Sequence, residues 1–92
     1  MQKYVICSRD NGTNRLVYYT GKTTFHGDLY YGDVLEAKRF NSLQEVAELI
    51  EKPSSVFYLG FNVIGISEVT FSAIAANKEL YARYHDPNHA IR

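Results

Sequence analysis

His85-Asp86-Pro87-Asn88-His89 is the segment whose residue types come nearest to a metal site, with two imidazoles four residues apart and a carboxylate between them. On an unbroken helix that spacing would put both rings on one face. Pro87 breaks a helix between them, and with no cysteine nearby only His26 is left to recruit, so a closed site lacks ligands. The segment reads as a polar tail. Cys7, the single thiol, would need a thiolate-stabilising neighbour such as His26 to act as a nucleophile. Its place in the middle of a strand-like run favours a small packed side chain instead. Glu45, Glu48 and Glu51 sit where a helix faces solvent, and Asp33 has a capping role, so Asp28 and Asp33 do not read as an acid–base pair either. Gly21-Lys22-Thr23 keeps only the end of a phosphate-binding loop, without the earlier glycine or a strand–loop–helix context. We therefore expect no catalytic residue, no metal and no cofactor, and a protein that is not an enzyme.

Binding is the remaining class of function. Lys and Arg balance Asp and Glu at 10 each, which argues against a strongly basic nucleic-acid binder and a strongly acidic mimic of DNA. An alternative reading keeps single-stranded nucleic acid as the ligand, with Arg15, Lys22, Lys38 and Arg39 holding phosphates and neighbouring tyrosines stacking on bases. The stronger signal is aromatic: eight Tyr and five Phe stand against no Trp. Tyr19, Phe25, Tyr30 and Tyr31 cluster within a short stretch and suit the core of a protein interface. They equally suit a small domain that needs more interior.

The elements that must position these residues can be read from periodicity and punctuation. Ninety-two residues make one domain, 1–92. The 3–9 run predicts a strand, Asn11-Gly12 a two-residue type I′ turn, and residues 15–20 the returning strand. That register puts Cys7 opposite Leu16 and Val5 opposite Tyr18. Val5, Cys7, Leu16 and Tyr18 then share one face; Tyr4, Ile6, Val17 and Tyr19 share the other. Residues 21–32, punctuated by three glycines, read as a loop or a short irregular hairpin. Asp33 caps a helical turn over 33–40. Ser42 and Glu45 have capping-box spacing, and Leu43, Val46, Ala47 and Ile50 form an apolar stripe on a helix that Pro53 ends. The 56–71 stretch is strand-rich, with Gly60 and Gly65 as bends, and 72–85 reads as a last helix with Ala73, Ala76, Leu80 and Tyr84 on one side. The predicted architecture is α+β: a small antiparallel sheet of three to four strands, order β-β-α-β-(β)-α, with helices packed on one face.

Lys3-Tyr4-Val5-Ile6, then Tyr18-Tyr19-Thr20-Gly21, then the stretch Asp33 to Phe40 with its Ala-Lys-Arg-Phe ending, followed by Ser42 to Ala47, resembles small proteins of bacteriophage and prophage genomes. The resemblance covers roughly residues 3–69. It implies the hairpin, the capped helix and a last strand near Phe61 to Ile64, and it carries over no catalytic residue. The Tyr-rich loop and the helix after Phe71 depart from that pattern, and a function particular to this chain is expected there.

The lone cysteine, the lack of a signal-peptide pattern and the lack of a membrane-length apolar run predict a cytoplasmic protein, in the host cytoplasm if phage-encoded. The expected function is that of a non-enzymatic viral protein-binding module. Its partner would be a host or defence protein that it modulates or inhibits, or a second copy as a homodimer, with no membrane involved.

Overall fold

The computed structural model describes residues 2–10, 12–27, 29–51 and 61–86. Among these residues four strands make one antiparallel sheet: β1 (Gln2–Arg9), β2 (Leu16–Thr23), β3 (Leu29–Gly32) and β4 (Asn62–Ser67), in the spatial order β3-β2-β1-β4. Among the same residues three helices accompany it: α1 (Leu43–Ile50), α2 (Glu68–Ala76) and α3 (Lys78–Arg83). The α+β class and the four-stranded antiparallel sheet agree with the sequence reading. The helices, however, lie on both faces. One face packs Val5, Cys7 and Tyr18 with Val34, Ala37, Ile66, Phe71 and Ile74, with Leu80, Tyr81 and Tyr84 of α3 and its C-terminal boundary against them. The other packs Ile6 and Tyr19 with Phe40 and Val46 of α1. β1 is central and apolar on both sides, so both sides need covering.

The first turn differs from the expected one in length. Asp10 N–H donates to Arg15 O at 2.8 Å and Asn14 N–H to Asp10 O at 2.7 Å, so the loop encloses residues 11–14; Asn11 itself lies outside the described residues. Asp10 Oδ2 accepts from both the Thr13 amide and hydroxyl, and Asn14 takes the left-handed conformation at φ 61°. The register is therefore Cys7 opposite Tyr18 and Arg9 opposite Leu16. The slip is two residues. An even slip returns each side chain to its own face, which is why the predicted division of the hairpin survives the wrong turn.

β2 leaves β1 just beyond the Cys7–Tyr18 pair, and residues 38–40 fill the opening. Tyr4 and Phe40 exchange two main-chain bonds at 2.9 and 2.8 Å, while Lys38 N–H donates to Tyr19 O at 2.9 Å. The stretch before this wedge is the expected capped turn: Asp33 Oδ1 accepts from Glu36 N–H at 2.9 Å and Glu36 Oε1 accepts from Asp33 N–H at 3.2 Å. Ser42 caps α1 as predicted, accepting from Glu45 N–H, although the Glu45 carboxylate reaches Asn41 N–H. Leu43 of the predicted stripe is exposed; Leu49 and Ile50 approach the core behind Val46. Pro53 and Gly60 lie outside the described residues.

The last helix begins earlier than predicted and is broken. Ser67 accepts from Thr70 N–H at 3.0 Å and starts α2 inside the stretch read as strand. Asn77, extended at φ −134°, separates α2 from α3, and its side chain accepts from the Glu79 and Leu80 amides. The interruption resets the helical phase. Phe71 and Ile74 are buried, whereas Ala73 and Ala76 face solvent.

Candidate interaction surface on the second hairpin

Of the two readings of the stretch from Gly21 to Gly32, the short irregular hairpin is the one observed, and it forms an arm of the sheet; Asp28 lies outside the described residues. β2 and β3 pair through Tyr18–Gly32, Tyr19–Tyr31 and Thr23–Leu29, with a bulge between Tyr19 and Thr23. Inside the bulge Thr20 Oγ1 donates to Tyr30 O at 2.7 Å and accepts from Lys22 N–H at 3.2 Å, while Gly21 takes φ 79°. A side chain other than glycine adopts that conformation only with strain. A bulge of this kind locally bends and twists the strand that carries it. At the tip Gly27 N–H closes on Thr24 O at 2.9 Å.

The four aromatic candidates separate by burial. Phe25 is 98% exposed at the arm's tip, with the His26 ring T-shaped to it at 5.5 Å between centroids. Tyr30 is 39% exposed on the arm. Tyr31 is half-buried, and burial together with the nearby Tyr19 raises its phenol above the ordinary range. Tyr19 is 8% exposed and stacks on Phe40 at 6.4 Å between centroids. Tyr19 therefore belongs to the core, and a partner would meet Phe25 and Tyr30 first.

The basic candidates do not form one stripe. Lys38 and Arg39 are adjacent, yet strand alternation sends them to opposite faces. Lys38 lies 5.7 Å from the Phe40 ring centroid, and Arg39 lies 3.9 Å from that of Phe71 on the other side of the sheet. Lys22 is exposed on the arm, and Arg15 is exposed at the opposite end of β2.

Among the described residues, Cys7 and the histidine considered as its neighbour are kept apart. Cys7 is buried on the Tyr18 face, where desolvation raises its thiol to about 11, and His26 stands at the exposed tip of the arm. His85 is the correction of most consequence. It is 4% exposed rather than part of a tail, with Nε2 accepting from Val34 N–H at 3.2 Å and Nδ1 bonded to Tyr81 O at 2.8 Å. Its carbonyl accepts from Leu16 N–H at 3.0 Å, and the Tyr18 hydroxyl donates to the neighbouring Tyr84 O at 2.5 Å. Tyr81 completes the junction by donating its hydroxyl to Asp33 at 2.8 Å, a bond that raises the phenol's proton affinity. The clue present in the sequence was the i, i+4 spacing of Tyr81 and His85 at the end of an apolar helix. His89 and Pro87 lie outside the described residues. Among the described residues no group of three potential ligands converges, and no helix is long and apolar enough to cross a membrane. A depression on α3 lined by Asn77, Glu79, Leu80 and Arg83 contains one carboxylate, which pairs with Arg83 at 3.5 Å.

Comparison with known proteins found no matching family model, no matching curated protein and no matching solved structure.

Proposed function

We propose that this chain is a non-enzymatic protein-binding module that presents the β2–β3 arm to its partner. The observation that carries the reading is Phe25: a phenyl ring 98% exposed at the end of the arm, beyond the bulge between Tyr19 and Thr23. Large aromatic rings held in solvent on ordered backbone are costly to solubility and are favoured at interface centres. Tyr30 extends the apolar surface along the same arm. The finer reading, a small phage-type protein that modulates or inhibits a host or defence protein, rests on the sequence resemblance over residues 3–69.

The test uses Phe25→Ser combined with Tyr30→Ser. Tyr31 is left in place because its ring supports Tyr19, and its loss would confuse folding with binding. The double variant should keep the thermal midpoint of the parent while losing whatever protein the parent captures through a photo-crosslinking residue placed at position 24. Retained capture would overturn the reading. Binding to a single-stranded oligonucleotide that weakens steeply with salt and depends on Arg15, Lys22, Lys38 and Arg39 would replace it with the nucleic-acid alternative.

A further inference from the structure

The arm has a second binding resource, its outer edge, and we infer that this edge pairs with the same edge of a second copy to join the two sheets into one. The inference rests on the reading of the arm as the interaction surface and adds the partner and the register.

The main-chain geometry sets which groups are available. Tyr19 O is taken by Lys38 N–H, on the side of β2 away from β3. The Tyr19–Tyr31 pair is therefore of the non-hydrogen-bonded type, and the Tyr31 N–H and C=O point outward from the sheet. Tyr30 is the converse: its carbonyl faces β2 and accepts from Thr20 Oγ1. By strand alternation Leu29 points its main-chain groups outward as Tyr31 does. Among the described residues no strand lies on the outer side of β3.

Natural edges are commonly blunted by charge or proline. Leu29-Tyr30-Tyr31-Gly32 has neither. It is also self-complementary in one register. An antiparallel pair related by a two-fold axis must be centred on a residue facing its own copy. Centring on Tyr30 lets Leu29 and Tyr31 of one copy exchange main-chain bonds with Tyr31 and Leu29 of the second. The central Tyr30 pair is then non-hydrogen-bonded, the arrangement with the shorter separation and closer side chains. Tyr30 is the residue of β3 with the exposed ring, so the register brings that ring against its own copy as a cross-strand aromatic pair. Centring on Tyr31 instead would call on the Asp33 amide, which Glu36 already occupies.

The register makes a sharp test. Tyr30→Cys places two thiols across a non-hydrogen-bonded pair, close enough for an intermolecular disulfide. Coupling should be about 10-fold or more faster than for Phe25→Cys, whose thiol sits on the arm's tip outside the paired strand. The parent chain should show the mass of a dimer by light scattering, and Tyr30→Lys, which sets like charges face to face, should show that of a monomer with unchanged circular dichroism. A monomeric parent, or a dimer indifferent to Tyr30→Lys, would overturn the inference. A monomeric parent whose capture of another protein fails in both Tyr30→Lys and Phe25→Ser would assign the edge to that protein instead. The arm reading fails separately, when capture survives Phe25→Ser.

Discussion

The Val34 amide is buried where no strand partner reaches it, and the His85 imidazole accepts from it. That bond requires hydrogen on Nδ1, which then donates to Tyr81 O, one helical turn back. Removing the ring by His85→Ala leaves a buried donor unsatisfied and opens a cavity. The expected loss is about 2–4 kcal/mol, read from urea unfolding followed by tyrosine fluorescence. A histidine at the end of a chain segment looks like a solvated residue in sequence, because nothing local announces the amide 51 residues away that it satisfies. Cys7 gives the opposite lesson, since its packed mid-strand role was legible from its neighbours. Burial raises its thiol from 9.0 to about 11, so the unfolded chain gives up this proton first as pH rises. Its contribution to stability is complete below about pH 9 and is lost on approaching about 11. Tyr18, raised further by burial, acts in the same direction at higher pH. The parent should therefore lose stability across that window, and Cys7→Ala should flatten the early part of the slope in urea titrations.

Among the elements, the strands and α1 could be read from the chain because alternation and capping are local signals. Val5, Ile6 and Cys7 marked a strand, and Ser42 marked a helix start. The boundary between β4 and α2 could not be read so easily: Val69, Thr70 and Phe71 favour strands by type, yet Ser67 caps a helix through them and Phe71 enters the core. Asn77 was equally hard to place. It looks like an interior helical residue and is in fact the boundary of two helices, its Oδ1 holding the Glu79 and Leu80 amides at 3.0 and 3.1 Å. Asn77→Ala should cost about 1 kcal/mol. The loss should appear in hydrogen exchange as faster opening of α3 than of the sheet. The arm's existence was half-visible through its three glycines. Which of its aromatic residues are core and which are surface depended on the wedge of residues 38–40, whose main-chain pairing with Tyr19 and Tyr4 joins positions far apart in sequence.

For the whole molecule, the sheet's interior is sealed by late parts of the chain. α3 and the residues after it supply the acceptors for Leu16 N–H and the Tyr18 hydroxyl and much of the cover over Tyr18. Ending the chain at Ala76 should abolish cooperative thermal unfolding, measured by near-ultraviolet circular dichroism. The same arrangement has a consequence for synthesis. β1 leaves the ribosome before either of its partners, so Tyr4 must wait for Phe40 on one side and Gly65 on the other. During that interval Val5 and Ile6, fully buried in the finished fold, have no complete shelter on either face. The growing chain would then be sticky and sensitive to protease until β4 and the helices after it have emerged.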